Sequence, residues 1–166
     1  RGELLDGWMA GITWLGSLYL LVPLSVLLCL LLLWSGNSGQ AILVSFSLFA
    51  TIIAVHGAKL LFRRPRPSTT ELLVAMPSDW SFPSAHTAQA GAFFLSVSLI
   101  AFQVLPTLWA TLVAILSLLV VGLVGYSRIY LQVHYLSDVV AGMALAALIV
   151  SGVRLITPLL PWFQGK

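Results

Sequence analysis

Arg128, His134 and Asp138 fall in the run Ser127-Arg128-Ile129-Tyr130-Leu131-Gln132-Val133-His134-Tyr135-Leu136-Ser137-Asp138, which sets a cation, an imidazole and a carboxylate at the edge of a hydrophobic stretch. Upstream lie Lys59, then Arg66-Pro67 after six intervening residues, then Pro83-Ser84-Ala85-His86. Three fixed cations, a hydroxyl and two imidazoles are the inventory needed to hold a phosphoryl group, attack it and protonate its leaving group. His134 and Asp138 are four residues apart at an expected helix start, so they share a face and the imidazole can bond to the carboxylate. Such a bond fixes the tautomer and leaves the other ring nitrogen as a nucleophile, giving a phosphohistidine on attack. His86, in the first turn of another helix, can protonate the departing oxygen and then activate the water that cleaves the intermediate. Lys59, Arg66 and Arg128 offer positive charge to the equatorial oxygens of the transition state, which makes a metal unnecessary. Ser84 and the amides of its helix start add neutral donors where the helix dipole favours an anion.

Other polar residues have plainer readings. Arg63 and Arg64 are expected to attract lipid headgroups. His56, three residues before Lys59, has no partner in the sequence and reads as structural, and Glu71 and Asp79 read as solvated loop charges. No two carboxylates have metal-ligand spacing. Cys29 is the only cysteine and lies in an apolar run, so no disulfide, zinc site or redox pair forms within the chain.

The elements that position these groups must be membrane helices. Of 166 residues, 60% are hydrophobic and 8% charged, and the mean hydropathy is +1.04, far from any soluble domain. The net charge of +3 is concentrated around residues 59–66 and interleaved with proline rather than aromatic residues, which points to an anionic headgroup and away from nucleic acid. The chain begins at Arg1 rather than methionine, leaving room for a segment upstream.

Residues 3–16 suit an amphipathic helix at the interface. Spans are expected at 18–34, 40–62, 84–102, 107–126 and 134–156, separated by the turn Ser35–Gly39, the prolines Pro65 and Pro67, Pro106, and a polar segment at 65–83, and ended by Pro158 and Pro161. The expectation is one all-α bundle over residues 1–166, a polytopic membrane domain of about five to six spans. Threading these spans back and forth brings the 2–3 and 4–5 connections to one side, so Lys59, Arg66, Ser84, His86, Arg128, His134 and Asp138 converge at one end. Ala141, Gly142, Ala144, Ala146 and Ala147 are expected to let the last span approach its neighbours closely.

Lys59 with Arg66-Pro67, then Pro83-Ser84-Ala85-His86, then Ser127-Arg128 with His134 and Asp138, resembles the three-part motif KxxxxxxRP, PSGH and SRxxxxxHxxxD of the type 2 phosphatidic acid phosphatase superfamily. The motifs occur in order and with matching internal spacing, from the second span to the fifth. The resemblance implies His134 as nucleophile, Asp138 as its orienting partner, His86 as acid and base, and Lys59, Arg66, Ser84, Ala85 and Arg128 around the phosphate. It implies metal-independent hydrolysis of a lipid phosphate or diphosphate such as undecaprenyl diphosphate, phosphatidylglycerol phosphate or phosphatidic acid. It also implies a bacterial plasma membrane, with the site facing outward, and commonly six spans. Ala85 departs from the pattern, which has glycine. An amide donor alone tolerates alanine, whereas a positive φ there would cost ~1 kcal/mol or more.

Three other classes share parts of this inventory. A phosphotransferase passes the phosphoryl group to a lipid instead of water; a vanadium haloperoxidase holds vanadate but is soluble; and a lipid-binding protein keeps the pocket without turnover. The full set of expected ligands argues against the last.

Overall fold

In hydrocarbon a backbone polar group finds no partner outside its own helix, so apolar runs of this length fold as helices. The computed structural model describes residues 2–68 and 74–159; Glu71, Pro161 and Lys166 lie outside that range. Six α-helices follow one another: α1 Glu3–Thr13, α2 Leu18–Trp34, α3 Ser38–Phe62, α4 Ala85–Val104, α5 Thr107–Tyr130 and α6 Leu136–Ile156, with 3-10 turns at Trp14–Gly16 and Thr157–Leu159. Among the described residues there is no strand.

The helices α3, α4, α5 and α6 are each long and apolar enough to cross a bilayer. At 17 residues, roughly 26 Å, α2 falls slightly short of the hydrocarbon core. Taken together with α1 and the intervening 3-10 turn, from which it bends by 42°, it is a candidate fifth span by length and composition. The segment expected as an interfacial helix forms α1. It also packs on α5, where Tyr130 Oη donates to Asp6 Oδ1 at 2.7 Å.

At the centre stands α4, the most buried of the spans. Its inward residues are small (Ala88, Ala90, Gly91, Ala92 and Ser96), which lets α3, α5 and α6 close around it. Gly142 of α6 shows how closely: a Cβ there would sit 2.8 Å from the Ser84 carbonyl oxygen. Ala146 is likewise buried, but Ala144 and Ala147 face outward, because a helix turning 100° per residue cannot bury five of seven neighbours against one partner. Large apolar side chains such as Leu27, Leu116, Leu119 and Leu148 are left outside for lipid, while exposed Trp34 and Trp109 mark one rim and Trp14 and Tyr19 the other.

The helix α5 runs four residues past its expected end at Tyr126. Its last turn carries Ser127 and Arg128, both buried, and then closes in a Schellman turn. The Val133 amide donates to the Arg128 carbonyl at 3.2 Å and the Gln132 amide to the Ile129 carbonyl at 2.9 Å, with Gln132 left-handed at φ 58°. This turn carries Val133 and His134 back over the bundle end. His134 consequently precedes α6 instead of belonging to it, and Tyr135 is the N-cap.

Candidate active site

The last turn of α3 supplies Lys59, buried by its neighbours despite its charge. The helix ends as Arg63 turns left-handed at φ 45°, ahead of two prolines that exclude further helix. In the extended run Arg64-Pro65-Arg66-Pro67 alternate residues share a side, so Arg64 and Arg66 both face the bundle while Arg63 bonds back to the Leu60 carbonyl at 3.0 Å. Arg66 Nη1 donates to the Val133 carbonyl at 2.7 Å and lies 3.2 Å from His134 Nε2.

Arg64 is not the headgroup cation the sequence suggests. Its Nη1 meets Asp138 Oδ1 at 2.8 Å and Ser137 Oγ at 2.6 Å, and its guanidinium lies 4.1 Å from the centre of the Tyr135 ring. Asp138, in the first turn of α6 and fully buried, takes three more donors on Oδ2. These are the Ser81 hydroxyl, the Tyr135 amide at 2.9 Å and His134 Nδ1 at 3.4 Å.

Two partners settle the protonation of His134. A carboxylate only accepts, so Nδ1 carries the proton; a guanidinium only donates, so Nε2 presents its lone pair. Burial pushes the His134 pKa down to about 4, further than the Asp138 hydrogen bond raises it, with Arg66, Arg128 and Lys59 adding to the fall. The ring is therefore neutral at physiological pH, as a nitrogen nucleophile must be.

Arg128 reaches the same place from α5, where Nη1 donates to Thr13 Oγ1 at 2.7 Å and Nε has no partner. A cavity of about 270 Å³ opens between these groups, lined among others by Arg66, Ala85, His86, Gln89, Arg128 and His134. Gly16 lets the bend before α2 approach it, since a Cβ there would lie 2.7 Å from the His86 carbonyl oxygen. Ser84 is the N-cap of α4 and buried; its hydroxyl shares a 2.9 Å hydrogen bond with Thr87 Oγ1, and its amide donates to the Asp138 carbonyl at 2.9 Å. Ala85 opens the helix without a positive φ, so alanine meets no backbone strain where the motif has glycine. The open first turn of α4 leaves its leading amides for an anion.

All the sequence-derived candidates thus gather at one end of the bundle, and sequence reasoning missed several neighbours. Arg64 had a signal, since period-two alternation in an extended run pairs it with Arg66. Ser81, Thr13 and Gln89 had none. Asp79, read as a solvated charge, forms ion pairs with both Lys59 and Arg66. Burial raises its pKa, but the Lys59 and Arg66 hydrogen bonds outweigh that and hold the carboxyl below its usual range. His56 is exposed, bonds to the Ile52 carbonyl of its own helix at 2.8 Å and lines the rim of the cavity. Among the described residues no three His, Cys, Asp or Glu side chains gather as a metal-ligand group.

Comparisons with known proteins agree with this architecture. The PAP2 superfamily profile matches residues 40–162. Phosphatidylglycerophosphatase B of Bacillus subtilis is 29% identical over 151 residues, 90% of this chain and 73% of its own length. An undecaprenyl-diphosphatase of Sulfolobus acidocaldarius is 29% identical over 147 residues, 86% of this chain and 66% of its own. The crystal structure of a transmembrane PAP2-type phosphatidylglycerolphosphate phosphatase from Bacillus subtilis superposes with a TM-score of 0.87 at 28% identity, covering 98% of this chain and 81% of that one. Aquifex aeolicus LpxE superposes with a TM-score of 0.73 at 25% identity, covering 93% and 88%. The helical bundle, the clustered motifs and the profile match over most of the chain lead to one assignment: this protein belongs to the PAP2 superfamily and is a membrane phosphatase of that type.

Proposed function

We propose that this chain hydrolyses the phosphate or diphosphate of a membrane lipid through a phosphohistidine on His134, without a metal ion. The observation that carries the reading is the orientation of His134, with Nδ1 toward buried Asp138 and Nε2 toward Arg66 at the cavity wall. Nε2 attacks phosphorus while Lys59, Arg66, Arg128 and the Ser84-Ala85 turn neutralise the oxygens. The P–O bond breaks, and His86 gives its proton to the leaving oxygen. Water then attacks phosphorus, giving its proton to His86, and the P–N bond breaks to restore the Nε2 lone pair and release inorganic phosphate.

Two features support a lipid on one side and water on the other. The cavity reaches Leu18, Tyr19 and His56, at the seam between α2 and α3, and farther along that seam runs an apolar groove of about 310 Å³ lined by Val22, Val26, Leu48, Phe49 and Ile52 among others. On the other side of His134, a depression of about 560 Å³ between Pro67, Ser68, Gln132 and Tyr135 opens to water. The names of the relatives suggest substrates in the class of phosphatidylglycerol phosphate and undecaprenyl diphosphate. An outward-facing site fits the far end, where Arg154 is the only charge among the described residues. Labelling of Ser68→Cys by an impermeant maleimide in intact cells tests that orientation, and protection from the reagent reverses it.

The test of the reaction is phosphate release by the purified protein in detergent with EDTA, from undecaprenyl diphosphate, phosphatidylglycerol phosphate and phosphatidic acid. Release that persists in EDTA and is lost in His134→Ala supports the mechanism. Release by the variant at the wild-type rate removes the phosphohistidine.

A further inference from the structure

Arg66 is fully engaged for a cation meant to receive substrate. Its Nε donates to the Asp79 carbonyl at 2.9 Å, its Nη1 to the Val133 carbonyl, and its Nη2 to Asp79 Oδ1 and, at 3.5 Å, to the Trp80 carbonyl. Lys59 Nζ meets the other carboxylate oxygen, Asp79 Oδ2, at 2.9 Å and also donates to the Trp80 carbonyl. Each oxygen of Asp79 therefore takes one of two adjacent cations, as two oxygens of a phosphoryl group would. The Lys59 and Arg66 side chains are 4% and 8% exposed, whereas that of Asp79 is 49% exposed. The cations belong to the bundle; the carboxylate reaches them from the irregular segment before α4. Asp79 lines the cavity and Lys59 does not, so the carboxylate stands between the lysine and the space shared by His86, Arg128 and His134.

Two neighbouring buried cations without a counter-ion are strongly unfavourable, and a carboxylate on the adjoining segment offsets that cost. The third cation is left out of the arrangement: Arg128 is buried, lines the same cavity and keeps Nε unpaired. We infer that Asp79 is the resident anion of the empty site, seated on Lys59 and Arg66 in place of a phosphoryl group and displaced by it. A phosphoryl dianion brings more charge and a third terminal oxygen, enough to engage Arg128 as well, and so wins the exchange. Asp79 thereby sets the apparent affinity of the site. If it is seated about nine-tenths of the time, it masks roughly tenfold of the intrinsic affinity. The inference rests on the phosphatase reading for the identity of the displacing anion. It predicts the opposite sign from a carboxylate that merely holds the cations in place for substrate.

Asp79→Asn and Asp79→Ala in the full chain, purified in detergent, separate the two. The probes are orthovanadate and inorganic phosphate, titrated calorimetrically, together with KM for a lipid phosphate. Both variants are expected to bind vanadate about tenfold tighter than wild type, with KM lowered in parallel. Equal or weaker vanadate binding in both variants overturns the inference and makes Asp79 a positioning residue; a loss of stability cannot imitate tightening. Vanadate binding needs no turnover, so the two failures are distinct. If wild type releases no phosphate from any lipid yet the variants bind vanadate more tightly, the resident anion stands and the hydrolase reading falls. If wild type turns over and the variants do not tighten, the inference alone falls.

Discussion

The Asp138 carboxylate takes four donors, and each comes from a different local cause. Tyr135 donates because it is the N-cap of α6 and Asp138 is at the position where a capping side chain folds back. Ser81 donates from the polar segment, and Arg64 from the extended run after α3. With Oδ1 held by Arg64, Oδ2 is left to face His134, so Arg64 acts on the proposed nucleophile through the carboxylate. Arg64→Ala is expected to lower kcat about ten- to a hundredfold, the cost of losing a charged hydrogen bond worth roughly 1.5–3 kcal/mol, while changing KM little. Arg64→Lys restores only part of the rate, because an ammonium lacks the planar fork that meets Asp138 while stacking on Tyr135. A change confined to KM would return Arg64 to the headgroup role expected from the sequence. The sequence marked Arg66, Arg128, His86, His134 and Asp138 as the chemical set because their types and spacings are local properties. It did not mark Asp79 or Ser81, which gain their partners across segments with no period to read.

At the scale of the element, helix ends do the positioning. The start of α4 brings Ala85 and His86 to the cavity, the Schellman turn after α5 redirects the chain to His134, and the start of α6 seats Asp138. Ala85 tests this reading most directly. It is the first residue of α4 and has no positive φ, so the glycine of the motif is not required by the backbone here. Ala85→Gly is expected to leave kcat within about twofold and to lower stability by roughly 0.5–1 kcal/mol, the usual helix penalty of glycine. Thermal unfolding in detergent and the rate on one lipid phosphate check both parts. A large gain in rate would show that the methyl group obstructs the phosphoryl seat.

For the whole molecule, the arrangement of spans decides where substrate meets the site. The cavity and the apolar groove lie along the same α2–α3 seam, and the chain bends by 42° just before α2 enters it. Filling the groove with Val22→Trp is therefore expected to raise KM for a long-chain lipid phosphate about tenfold or more, through overpacking of the tail, while leaving a small soluble phosphate ester unaffected. Equal effects on both substrates would place the tail elsewhere. The amino-acid sequence by itself determined that the chain is a helical membrane bundle, where most spans begin and end, and which residues are the candidates for chemistry, because hydropathy over a span and residue type at a fixed spacing are readable one segment at a time. Parity of the crossings even placed that set at one end. Only the tertiary structure decided that the chain bends by 42° between the first two helices, that α5 continues through Arg128, that Arg64 locks Asp138 and that Asp79 sits on Lys59 and Arg66. Each of these depends on a contact between segments remote in sequence, where the energy of burying a charge, rather than any local preference, chooses the partner.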